Sequence, residues 1–139
     1  MKIHNEIRKE VISVLSGKYS GFNYYNGIPK IKSTDEELPL ISVMLNNIEA
    51  DPVTIGHIEY NGVLSLVIFI PFFDGEEYLD EIAEQISNTL KHYSFKNFEF
   101  EDGYNQRYEY EFDQENRAWV SAMIDYKIRY GFERFCIDE

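Results

Sequence analysis

Cysteine is nearly absent. A single thiol, Cys136, excludes an internal disulfide and any cysteine-based zinc site, and fits a reducing compartment. Basic residues are also scarce: 13 Lys and Arg stand against 25 Asp and Glu, giving −12 and a pI near 4.6. That balance excludes a grip on nucleic acid, which needs clustered Lys and Arg to neutralise phosphates. No apolar run reaches the roughly 18 residues needed to cross a bilayer, so no membrane partner is expected. Met1-Lys-Ile-His-Asn-Glu6 is too polar for a signal peptide, and synthesis in the cytoplasm is the expectation.

Chemistry-bearing motifs are missing as well. His4, His57 and His92 lie far apart, none in a His-x-x-x-His or Glu-x-x-His spacing, and each reads as a surface residue. There is no Gly-rich phosphate loop, no Gly-x-Ser-x-Gly elbow and no activating context around Phe135-Cys-Ile137. No catalytic residue, cofactor site or resident metal site is therefore expected, and the enzyme reading is weakened.

What the chain has in quantity is aromatic and apolar side chains. Among its 139 residues 44% are hydrophobic and 16% aromatic, with eleven Tyr and ten Phe. One domain with its own core follows from that length and composition. Tyr suits surfaces that are half apolar and half wet, which favours a protein that binds proteins.

The chain is organised around Gly62-Val-Leu-Ser-Leu-Val-Ile-Phe-Ile-Pro71. Leu64, Leu66, Ile68 and Ile70 fall on one face, Val63, Val67 and Phe69 on the other. Two apolar faces predict a central strand, covered by a helix on one side and by strands or a partner subunit on the other.

Ile3 to Ser16 reads as an amphipathic helix stopped at Gly17, with Ile3, Ile7, Val11, Val14 and Leu15 on its buried stripe. Phe22 to Ile31 reads as an aromatic strand broken by an Asn26-Gly27 hairpin turn. An acidic loop over Ser33–Glu37 precedes a strand in which Ile41, Val43 and Leu45 share a face. Asn46 to His57, with Pro52 and Gly56, reads as a mobile loop. Its Ile48, Val53 and Ile55 either fold back on the core or wait for a partner.

A second helix opens at Phe72-Phe-Asp-Gly-Glu-Glu77, with Asp74 as N-cap and Glu77 completing a capping box. Leu79, Ile82, Ala83, Ile86 and Leu90 form its buried stripe, and the early acids suit the helix dipole. A closing hairpin alternates Tyr104, Tyr108, Tyr110 and Phe112 with acids, turns at Gln114-Glu-Asn116, and returns through Val120, Ala122, Ile124, Tyr126, Ile128 and Tyr130. Those aromatic and aliphatic positions read as core. On the wet face Glu109, Glu111 and Asp113 recur about 7 Å apart, and cross-strand pairing with Lys127 and Arg129 is the expected arrangement. The sum is an α+β fold: a mixed, mainly antiparallel β-sheet packed by two α-helices in a single domain.

The order of these landmarks resembles the phage minor tail protein U family, the tail terminators of lambda-type long-tailed phages. The residues that carry it are the Glu6-Ile-Arg-Lys-Glu-Val11 helix, Phe22-Asn-Tyr-Tyr-Asn-Gly-Ile-Pro29, Leu38-Pro39 and its strand, Val67-Ile-Phe-Ile-Pro71 leading into the Leu79-Asp80 helix, and Trp119 to Tyr130. The resemblance covers about residues 1–130, the expected domain, and leaves 131–139 as a C-terminal extension. It implies a homo-hexameric ring on the head-proximal end of the tail tube that stops tube polymerisation and presents a head-joining surface. Its implied partners are further copies of itself, the tail tube protein and a head-completion or connector protein. DNA would pass through the central channel without specific binding, and an acidic lumen fits that passage.

Six copies at −12 would carry about −72, a self-repulsion that opposes assembly unless it is screened or paired. The expected remedies are Arg8, Lys9, Lys30 and Lys32 of one subunit facing acids of the next, or divalent cations at Asp74, Glu76 and Glu77 acting as an assembly aid. A closed ring needs two different patches per subunit, and the segment around Ile48, Val53 and Ile55 is one candidate. Two other readings stay open at this point. One is a small acidic adaptor or inhibitor domain unconnected with phage tails; the other is a metal-dependent hydrolase using Glu109, Glu111 and Asp113.

Overall fold

The computed structural model describes residues 2–29, 34–54, 57–101 and 106–133. Helix α1 (Lys2–Lys18) buries Ile7, Val11 and Leu15, three residues at four-residue steps along one side. Gly17 does not stop it; the helix runs one residue further and Tyr19 N–H closes on the Leu15 carbonyl at 2.7 Å. Helix α3 (Gly75–Lys91) buries Leu79, Ile82, Ala83, Ile86 and Leu90, the expected stripe. A 3-10 turn at Phe72–Asp74 precedes it, and Asp74 makes no side-chain cap. The capping box read from the sequence is therefore not formed: the 3-10 turn leaves Asp74 with near-helical dihedrals, φ −73° and ψ −23°, instead of the extended ones of a capping residue.

One six-stranded sheet receives both helices. It comprises β1 (Asn23–Asn26), β2 (Leu40–Thr54), β3 (His57–Pro71), β4 (Glu99–Phe100), β5 (Arg107–Phe112) and β6 (Trp119–Glu133), with a single helical turn α2 (Thr34–Glu37) before β2. The order is β1-β2-β3-β6, with β5 and then β4 lying along the far edge of β6. All neighbours are antiparallel except β1 and β2. The fold is thus the mixed, mainly antiparallel α+β sheet that the sequence predicts, with β3 inside it. β6 continues through Glu133, pairing it with His57.

Two stretches differ from the sequence reading. Asn26-Gly27 does turn the chain, with Gly27 at φ +99°, but it makes no hairpin. Instead β1 lies parallel to β2, Tyr24 beside Ile41, and the chain from Gly27 to Pro39 makes the crossover. The segment read as a mobile loop is strand: β2 runs to Thr54 and β3 starts at His57, so the two form a long hairpin arm. Its register shifts between Asn46 and Glu49 and again between Pro52 and Thr54. These bulges let Pro52 lie within a strand and scramble the alternation that would have announced one.

The core lies between the helices and one face of the sheet. Ile41, Val43, Leu64, Leu66, Ile68, Ile70, Ala122, Ile124 and Ile128 are fully buried there with both helical stripes. Phe95, Phe98 and Phe100 extend it under the connection from α3 to β4: Phe95 stacks on Phe98 at 4.6 Å, Phe98 meets Phe100 edge-on at 5.4 Å, and Phe100 lies tilted against Tyr126 at 5.4 Å. Glu10 of α1 clamps that connection, accepting the Lys96 and Asn97 N–H groups and the Asn97 amide at 2.7, 3.1 and 2.8 Å.

Candidate assembly surfaces

Three surfaces remain once the core is closed. The first is the second face of the sheet, away from α1 and α3; its β1–β2 corner is closed, with Leu40 and Ser42 fully buried and the Tyr25 hydroxyl donating to Glu37 of α2, while the rest carries no helix among the described residues. Met44, Val63, Val67, Phe69 and Met123 are half-buried there, with Trp119 edge-on to Phe69 at 5.0 Å. A polar line crosses them: Asn46 Nδ2 donates to Ser65 Oγ at 3.1 Å, and Ser65 Oγ donates to Asp125 Oδ1 at 2.7 Å. The apolar second face read in the sequence is real, and over Val63, Val67, Phe69 and Met123 no described helix covers it.

The second surface is an aromatic ledge where β5 meets the start of α3. Tyr108, Tyr110 and Phe112 were expected in the core, yet they are between 39% and 49% exposed, and Phe73 is 92% exposed. The reason is position. They share the core-facing side of the sheet, opposite Ile124, Ala122 and Val120, but they sit on the outermost strand, where α3 touches Tyr110 through Asp80 without burying the row. The Tyr110 hydroxyl is pushed up to about 12, first by burial and then by its hydrogen bond to Asp80 of α3. Phe112 lies 6.3 Å from Phe72, and a cavity of about 330 Å³ opens between Phe72, Gly75, Glu76, Phe112 and Val120.

The third surface is the β1 edge. Arg8 of α1 donates to Asn26 Oδ1 at 2.5 Å, and Asn26 Nδ2 donates to Asn5 Oδ1 at 2.8 Å, so the helix is tied to the edge strand. Lys9 is exposed beside it, and Ile28, just past the strand, is 81% exposed.

The sequence-predicted residues distribute unevenly over these surfaces. Arg8 stands at the β1 edge, and Lys9 is exposed at the next position of α1. Ile48 folds back, packed on the core margin with its Cγ1 over Gly62. Val53 lies on β2, though its side chain is outside the described set, and Lys30, Lys32 and Ile55 lie outside the described residues altogether. Asp74, Glu76 and Glu77 are exposed at the start of α3. Among the described residues no three His, Cys, Asp or Glu side chains converge as a metal site would require.

The row of hairpin acids is also rearranged. Glu109 pairs with Arg107 at 2.6 Å, and Arg129 pairs with Glu99 at 3.2 Å, so the expected pairing with Lys127 and Arg129 is not made. Register explains this: Glu109 and Glu111 stand opposite Met123 and Ser121. Asp113 has left the strand to accept the backbone N–H groups of Glu115, Asn116 and Ala118, which holds its carboxyl below the usual range.

Sequence reasoning missed one cluster entirely. His4, read as a surface residue, is half-buried against Tyr60 and Tyr130, its Nε2 2.6 Å from the Tyr130 hydroxyl. Tyr60 and Tyr130 stack at 5.3 Å. Nothing local signals a contact across 126 residues.

Unpaired strand edges, an aromatic ledge and an uncovered sheet face belong to a protein that works against other protein chains. Within that class the chain is a member of the phage minor tail protein U family, whose family model matches residues 2–130. No curated protein matches it. The family is a structural one of the phage tail, so the protein is a component of the virion tail, and the adaptor reading unconnected with phage gives way.

Proposed function

We propose that the protein is a tail terminator: six copies form a ring on the head-proximal end of the tail tube, stop its polymerisation and present the surface to which the head joins. The family match over residues 2–130 is the observation that carries this reading. Its partners are then the tube protein on one side and a head-completion or connector protein on the other. The aromatic ledge and the uncovered sheet face supply apolar surface for such contacts, since exposed patches of this kind mark protein interfaces. The charge of −12 per copy suits a channel through which DNA slides without being held. No cofactor takes part; a divalent cation at Asp74, Glu76 and Glu77 serves only as an assembly aid.

Light scattering after size exclusion, with and without magnesium, combined with a tube-growth assay, tests this. The expected outcome is a species of about six times 16.5 kDa, alone or on tube ends, that halts addition of tube protein. Tube growth unaffected by an excess of the protein overturns the terminator reading.

A further inference from the structure

The two ends of the sheet are unlike each other and stand at the same height. Following the register across the strands gives one row, Tyr24–Ile41–Ile68–Ala122–Tyr110, and a second, Asn26–Val43–Leu66–Ile124–Tyr108. β1 and β5 are therefore level, although the 80 residues 27–106 and four strand pairings separate them. Among the described residues neither has a second strand partner.

The direction of their backbone groups follows from the bonds they already make. Asn23 and Gly27 N–H groups point inward to Pro39 and Val43, so those of Tyr24 and Asn26 point outward by strand alternation. Asp113 N–H points inward to Trp119, so Arg107, Glu109 and Glu111 also face β6, and the backbone groups of Tyr108, Tyr110 and Phe112 point outward. β1 runs parallel to β2 and therefore opposite to β3; β5 runs opposite to β6 and therefore parallel to β3. A neighbour brought alongside by rotation about an axis along the strands presents its β1 antiparallel to this β5.

We propose that β1 of one copy pairs antiparallel with β5 of the next, Tyr24 opposite Tyr110 and Asn26 opposite Tyr108, joining the sheets of six copies into one closed ring of strands. This rests on the ring reading above and says how the ring is built. The contact is head-to-tail, as a closed ring requires, and because both edges are level it demands no step along the axis. Side chains agree with it: Tyr24 and Tyr110 both stand on the helix-bearing face, so the pleats match.

Charge also agrees. Arg8 of α1 borders the β1 edge, with the exposed Lys9 next to it in the helix, while Glu76 and Asp80 of α3 border the β5 edge on that same face, both acting on Tyr110. Five strands abreast at about 4.8 Å span roughly 24 Å, so six copies enclose a circle about 45 Å across, wide enough for a duplex. The pairing would cover the outermost aromatic strand, whose bare edge is otherwise a template for uncontrolled association.

The test is a disulfide. In the register proposed, Tyr25 of one copy stands opposite Glu109 of the next as a non-hydrogen-bonded pair, with Cα atoms about 4.5 Å apart, within the range a disulfide spans. Within one chain the same two positions are at opposite sheet edges, about 19 Å apart. The full chain carrying Cys136→Ser, Tyr25→Cys and Glu109→Cys should on oxidation give a ladder of covalent oligomers ending at a closed six-copy species. A control with Tyr25→Cys and Tyr110→Cys, on opposite faces, should give none.

Reversing Arg8→Glu and Lys9→Glu should weaken association about tenfold, and adding Glu76→Lys and Asp80→Lys should restore it, an outcome no folding defect produces. Six-copy particles by light scattering without the Tyr25–Glu109 disulfide overturn the edge pairing and leave the ring standing. Monomers that halt tube growth yet give no Tyr25–Glu109 disulfide on the tube end overturn the edge pairing alone; monomers that leave tube growth unaffected overturn both.

Discussion

His4 shows how much one side chain can depend on distant residues. Its imidazole has been drawn out of water against Tyr60 and Tyr130, and burial, with the positive charge of Arg8 adding to it, lowers its pKa below 6.5. The neutral ring can accept the Tyr130 hydroxyl at Nε2, whereas a protonated ring cannot. Burial likewise pushes the Tyr130 hydroxyl up to about 12, so it stays a donor. The sign of the linkage follows. The unfolded chain binds the proton more readily, so the contribution of His4 is fully present above pH 6.5 and is lost as pH falls through 6.5 toward the lower folded value. The stability difference between wild type and His4→Gln should therefore shrink on acidification below that point, as read by thermal melts. The midpoint of His4 in a proton NMR titration should fall below 6.5; a midpoint above it contradicts this account.

At the scale of the element, the β2–β3 arm carries the largest departure from the linear reading. Its hinge to the core is the bulge between Asn46 and Glu49, where Ile48 is turned over the opposing strand. Gly62 makes room for it: a Cβ built there would lie 3.1 Å from Ile48 Cγ1. A glycine inside a strand weakens it unless a close approach requires it, and here it does. Gly62→Ala should destabilise the protein by about 1 kcal/mol in urea unfolding through overpacking. The cost should fall in the Gly62→Ala, Ile48→Ala double variant, because the two positions share one contact. Additive losses would mean that the glycine serves some other purpose. The aromatic ledge teaches a related lesson about β5, whose alternation is flawless and whose apolar face α3 touches through Asp80 and Tyr110 without burying.

For the whole molecule the deciding quantity is charge. Each copy carries −12, spread over α3, the hairpin and the arm, while attraction between copies would come from a few side chains at the joining edges. The screening length falls from about 30 Å at 0.01 M salt to about 8 Å at 0.15 M, and screening weakens the long-range repulsion far more than contacts closed within an interface. Association measured by light scattering should strengthen over that range of salt and then level off. Steady weakening with salt would mean that contact pairs dominate and that the overall charge is of no consequence for assembly.

Local period and composition were enough to determine much of this protein. The stripes of α1 and α3 are legible because a helix repeats over a few residues, so Ile7, Val11 and Leu15, or Leu79, Ile82 and Ile86, declare themselves without knowing what they touch. The interior place of β3 was legible because both of its faces are apolar. Family membership was legible in the order of landmarks from the first helix to Tyr130. Tertiary structure alone decided what depends on pairing between distant segments. Asn26-Gly27 turns the chain whichever strand β1 joins, and only the register with Leu40–Val43 makes that strand parallel. Tyr110 alternates correctly whether buried or not, and only the width of the sheet relative to α3 leaves it at the edge. Periodicity states which side chains share a face; the neighbours of that face are settled by contacts between residues far apart in the chain.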